Sequence, residues 1–174
     1  VGQAGTASAG AILRNAVNET DPAVQETALF SLIQLDELDT SVLQSVITNT
    51  TDVTAQARRI RFVGLVPEAV SPAFVAQLLN HQSAMVHLSL IRALRQRQTL
   101  FQSQPDLVTG EQIRTLFENG TIPIKVTALR YLQNSAIEKG PWRKSMIELC
   151  DGQTDTSVLN ECALSQRRFG NVEA

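Results

Sequence analysis

Apolar residues return along the chain in blocks, and five segments share one pattern. They read DPAVQETALFSLIQL from Asp21, DVTAQARRIRFVGLV from Asp52, SAMVHLSLIRALRQR from Ser83, TIPIKVTALRYLQNS from Thr121 and DTSVLNECALSQRRF from Asp155. The starts lie 31, 31, 38 and 34 residues apart. In the first four, the fourth, ninth and twelfth places are apolar or small: Val24, Leu29, Leu32; Ala55, Ile60, Val63; Val86, Ile91, Leu94; and Ile124, Leu129, Leu132. At about 100° per residue these places share one face, so each segment is predicted to be an amphipathic helix. The fifth keeps Val158 and Ala163, but Gln166 takes its twelfth place. A one-residue shift stays open there, and a terminal repeat is expected to be atypical.

Each segment opens on Asp, Ser or Thr, whose side-chain oxygen can accept the free backbone N–H groups of a helix start. Pro22 follows Asp21 at the first helical position, where a missing N–H costs nothing. A second set of apolar residues lies between these segments: Ala11, Ile12, Asn15, Ala16; Val42, Leu43, Val46, Ile47; Phe74, Val75, Leu78, Leu79; Ile113, Leu116, Phe117; and Trp142, Ser145, Met146, Leu149. Ser71-Pro72 and Gly140-Pro141 read as helix starts. The expected unit is helix, short turn, helix, repeated over residues 7–35, 39–66, 71–98, 109–136 and 140–169 of a single domain, 1–174. One such pair cannot bury its apolar side, so neighbours must stack into a continuous core. The stretch at 99–108 is the longest connection and the expected place for a bend. The opening VGQAGTASAG reads as a linker.

Asp21-x-x-Val24 with Ala28-Leu29 and Leu32, matched by Ile124 with Ala128-Leu129 and Leu132, resembles the HEAT and HEAT-like repeat family. The resemblance covers about 160 residues and implies an all-α, right-handed α-α superhelix of five helical hairpins, with the second helices lining a concave face. The family often has a basic residue after the Val position. Lys125 fits; Gln25, Gln56 and His87 do not. The Trp-Gly-Tyr signature of tetratricopeptide repeats and the TPLH of ankyrin repeats are absent.

Composition narrows the function classes. The chain carries 15 basic and 17 acidic residues, a net −2, which argues against wholesale nucleic-acid binding. No apolar run reaches membrane-span length. Val1 in place of Met implies a processed form or an excised segment, and no basic start precedes an apolar stretch. Lysine is scarce at 3 against 12 arginines, and glutamine reaches 15. That bias is compatible with an exported bacterial protein, and the cytoplasm stays open.

Candidate chemistry is sparse. His81 and His87 are six apart, whereas a helical zinc motif needs a spacing of four; they read as ordinary packing or surface residues. Cys150 and Cys162 lie two repeats from either histidine, too far for a Cys–His dyad, and read as packing cysteines. Counting about 1.5 Å per residue either side of the turn predicts that they are not bridged to each other. Asn18-Glu19-Thr20, Asn49-Thr50-Thr51 and Asn119-Gly120-Thr121 match the glycosylation sequon, yet each falls where a turn and a cap need those residue types. Asp36-Glu37 and Asp39 lack the alternation of a calcium loop. Trp142 is expected to anchor the last pair. No catalytic signature, metal set or cofactor motif is found, so the chain is read as not an enzyme.

Charge is unevenly spread: net −5 over residues 1–50, +4 over 51–104 and −1 over 105–174. Arg61, Arg92 and Arg130 all occupy the tenth place of their segments, opposite the apolar face, with Arg58 and Arg95 three residues to either side. These five form a predicted partner-binding row of guanidinium groups suited to carboxylate or phosphate. The leading expectation is a non-catalytic scaffold that binds a protein or acidic peptide. The alternative is a nucleic-acid-binding or DNA-repair HEAT-like protein.

Overall fold

The computed structural model describes residues 2–66, 70–96, 107–134 and 147–170. Among them every regular element is helical: α1 Gly2–Ala16, α2 Pro22–Gln34, α3 Thr40–Thr48, α4 Val53–Ile60 with a 3-10 turn Arg61–Gly64, α5 Pro72–Leu79, α6 Ala84–Gln96, α7 Gly110–Asn119, α8 Ile122–Asn134 and α9 Thr156–Gly170. Residues 147–150 are also helical. The expected starts of the fifth pair at Gly140-Pro141, with Trp142, Ser145 and Met146, lie outside the described residues, as does the connection at 99–106.

The starts are chemically specified. Asp21, Asp39, Asp52 and Ser71 each accept a backbone N–H of the helix they precede, at Ala23, Ser41, Ala55 and Phe74. Thr109 and Gln112 close a reciprocal capping box on α7. Asp155 receives Ser157 N at 2.9 Å and Val158 N at 3.2 Å. Asp36 turns α2 off in the left-handed region at φ 56°. Asp39 is acidified chiefly by the Ser41 hydroxyl, which donates to it at 2.7 Å. The three sequon asparagines are exposed, and each donates its Nδ2 back to the preceding helix, at Arg14 O, Ser45 Oγ and Thr115 O. Their side chains therefore do the turn work that their spacing suggested.

Consecutive helices pair, α1 with α2, α3 with α4, α5 with α6 and α7 with α8. The second helices then pack in chain order, α4 on α6, α6 on α8 and α8 on α9. Leu29, Leu32, Ile60, Val63, Ile91, Leu94, Leu129 and Leu132 are buried at the expected ninth and twelfth places. A polar residue at the fifth place ties several hairpins shut. Gln56 donates to Ile47 O at 3.1 Å and Gln25 to Glu19 O. His87 lies by the carbonyls of His81 and Leu79, and burial lowers its pKa despite them. Gly64 is required where the 3-10 turn meets α6: a Cβ there would stand 2.8 Å from Ala93 O.

Five expectations are corrected. The opening residues are not a linker: α1 begins at Gly2, in a stretch whose alanines favour helix. Its core side is Leu13, Ala16 and Val17 rather than Ala11, Ile12 and Asn15, because those three follow the helical i, i+3, i+4 spacing; Ile12 is 66% exposed. Val24 is 41% exposed, since the first hairpin has no preceding helix among the described residues to cover it. In the last segment the buried face is Val158, Glu161, Cys162 and Ser165, with Ala163 exposed. The shift accommodates a buried polar cluster. Gln133 Nε2 donates to Glu161 Oε1 and to Ser165 Oγ, both at 2.8 Å.

The fifth correction concerns the cysteines. Cys150 and Cys162 form a disulfide with Cα atoms 5.9 Å apart. An offset that keeps the two cysteines apart requires a helical rise at every residue between them. Residues 151–155 are not helical, and extended backbone advances about 3.3 Å per residue against about 1.5 Å in a helix. With Gly152 in the left-handed region at φ 77°, the connection departs from the helical rise, and Cys150 comes level with Cys162.

Tyr131 is the single tyrosine and is 7% exposed. Burial pushes its pKa up to about 12. The fold favours the neutral phenol, so its contribution to stability is full below the unfolded pKa of about 10 and is lost as pH rises toward 12. Tyrosinate absorbance is expected to stay silent through pH 10 in the folded protein and to rise there in denaturant. A folded-state midpoint near 10 would contradict the burial.

Candidate functional site

α4, its 3-10 turn and α6 pack with their exposed faces meeting in a cleft of about 310 Å³. Its lining is Thr54, Ala57, Arg58, Arg61, Met85, Ser89, Arg92, Ala93 and Gln96. Ala57 and Ala93 are buried and form a shallow apolar floor, and Met85, 48% exposed, stands at its side. Three guanidinium groups rim it. The small residues at the floor follow from the close approach of the two helices, which Gly64 permits.

The five arginines of the predicted row divide. Arg58, Arg61 and Arg92 converge on the cleft. Arg95, in the last turn of α6, is exposed but does not line it. Arg130 belongs to another boundary, where its Nε meets Glu161 Oε2 at 2.8 Å. Glu26 of α2 lies 3.3 Å from both Arg58 Nε and Arg61 NH2, so one carboxylate serves two cations. Arg61 also lies 4.9 Å from the centroid of the Phe62 ring. Among the described residues no ion pair is formed by Arg92 or Arg95. The rim therefore keeps a net positive charge against a floor without charge.

That arrangement holds an anion by charge-assisted hydrogen bonds and seats a small apolar group beside it. It contains no nucleophile–base pair. Among the described residues no group of three or more His, Cys, Asp or Glu side chains is placed to hold a metal ion.

Sequence reasoning missed Arg59. It is 5% exposed, although it is an arginine beside two exposed ones. Its signal was available in the repeat: Arg59 fills the eighth place, where the other segments have Ala28, Leu90, Ala128 and Cys162, all buried. The chain matches no family model, no curated protein and no solved structure.

Proposed function

We propose that the chain is a non-catalytic binding module of the HEAT-like helical-repeat type, and that its arginine-rimmed cleft takes an acidic segment of a protein or peptide. The observation that carries this reading is the convergence of Arg58, Arg61 and Arg92 over an apolar floor, with Glu26 as the paired carboxylate for two of them. The chain-order packing of the second helices supports a solenoid, which would place the cleft on its inner side. An acidic segment is favoured over nucleic acid because the patch is local and the chain as a whole is net −2. The buried Cys150–Cys162 bridge favours an oxidising compartment, hence an exported protein.

Arg92→Glu is the discriminating variant, because no described ion pair is lost with it. A labelled peptide rich in Asp and Glu with one Leu serves as the probe. Its affinity is expected to fall at least about tenfold, in line with losing a charge-assisted contact, and to weaken further with salt. Equal binding by the variant, or equal binding of the same peptide with Gln for Glu and Asn for Asp, would refute the proposal.

A further inference from the structure

A second cleft, of about 360 Å³, opens between the turns of the first two hairpins. Asn18, Thr20, Ser45, Asn49, Thr50 and Thr51 give it a wall of hydroxyls and amides, and Arg59 lies at its inner side. Arg59 is more than nine-tenths buried, yet it makes no ion pair among the described residues. Its NH1 donates to Thr50 Oγ1 and its NH2 to Gln25 Oε1, both uncharged acceptors. Its Nε is buried with no acceptor among the described residues. A guanidinium has five N–H groups, so the two bonds leave three without a partner among the described residues.

Burying such a charge is costly unless an anion meets it. Desolvation accordingly lowers the pKa of Arg59, and the field of Glu26 only partly offsets it. Glu26 is itself held by Arg58 and Arg61. The lining carboxylate, Asp52, is committed to capping α4 through Ala55 N at 2.6 Å. The fold does not need a cation at this register, since Ala28, Leu90 and Ala128 fill it elsewhere.

We infer that this cleft is a binding site for a small hydroxylated anion, a sugar acid or sugar phosphate, with the charged group on Arg59 and the hydroxyls on Asn18, Thr20, Asn49 and Thr51. The cleft is several times larger than a bare oxoanion needs, and its polar wall matches a hydroxylated body. The site is separate from the arginine-rimmed cleft, and Arg92→Glu leaves it intact.

The test follows the Arg59 side-chain Nε–H resonance by NMR during titration with glucuronate, glucose 6-phosphate, inorganic phosphate and glucose at constant ionic strength. Saturable shifts are expected with glucuronate or glucose 6-phosphate, with a dissociation constant on the order of 1 mM. Inorganic phosphate should bind more weakly and glucose not at all. Whether the carboxylate or the phosphate binds tighter identifies the source of the anion. Thr51→Glu puts a negative charge at the exposed mouth without touching the core, and should weaken binding at least about tenfold. An unmoved Arg59 resonance, equal shifts with glucose, or unchanged binding in the Thr51→Glu protein would each overturn the inference.

Discussion

Reduction of the Cys150–Cys162 bridge is expected to destabilise the protein by about 3 kcal/mol, the scale for closing a loop of this size. The bridge spans 12 residues. It ties the helical end at 147–150 to the buried face of α9, and both cysteines are buried, at 8% and 3% exposure. The restraint acts mainly on the unfolded chain, which is free to separate those segments once reduced. Urea unfolding with and without reductant measures the effect, and the Cys150→Ser/Cys162→Ser protein should match the reduced wild type. The melting temperature should fall by roughly 10 °C. Coincident unfolding curves for the oxidised and reduced forms would show that the bridge contributes nothing.

The second large effect is expected at Glu161. The residue is 5% exposed, and its carboxylate receives hydrogen bonds from Arg130 and Gln133, both at 2.8 Å. Glu161→Leu should cost about 3 kcal/mol, because it leaves one N–H of the buried Gln133 amide without its acceptor and removes the charge-assisted bond from Arg130. The companion change is more informative. Gln133→Leu in the Glu161→Leu background should recover a large part of the loss, since replacing both members of a buried polar pair by apolar groups removes the unmet desolvation. The four proteins form a double-mutant cycle. A coupling energy near zero would mean that the cluster is solvated and contributes little.

The helices were legible because three independent signals agreed. Apolar spacing, Asp or Ser caps and Pro at the first turn all mark the same starts, as at Asp21-Pro22 and Ser71-Pro72. Burial was legible where a helix has neighbours on both sides, as for Ile91 and Leu94. It failed at Val24, because a one-dimensional pattern does not say which hairpin stands at the end. The disulfide was missed because the rise per residue differs between helix and connection. The site was half legible. The wheel placed Arg58, Arg61, Arg92, Arg95 and Arg130 outward, and they are exposed. Which of them share a cleft depends on crossing geometry and on Glu26, neither of which is written in the spacing. Arg59 was hidden by composition: an arginine is read as surface until its register is compared with Ala28, Leu90 and Ala128.

The polar matches between hairpins have a consequence for how the chain can be rearranged. Apolar helix faces are nearly interchangeable, and a stack held by them alone would tolerate exchange of one hairpin for another. Here the first boundary carries Glu26 against Arg58 and Arg61, with Gln25 on Arg59. The last carries Arg130 and Gln133 against Glu161 and Ser165. These two boundaries thus carry different locks. Moving or deleting the first or the last hairpin would leave Arg59 or Glu161 facing the wrong neighbour, so the two ends of the array are specified by a few polar side chains in addition to the hydrophobic core.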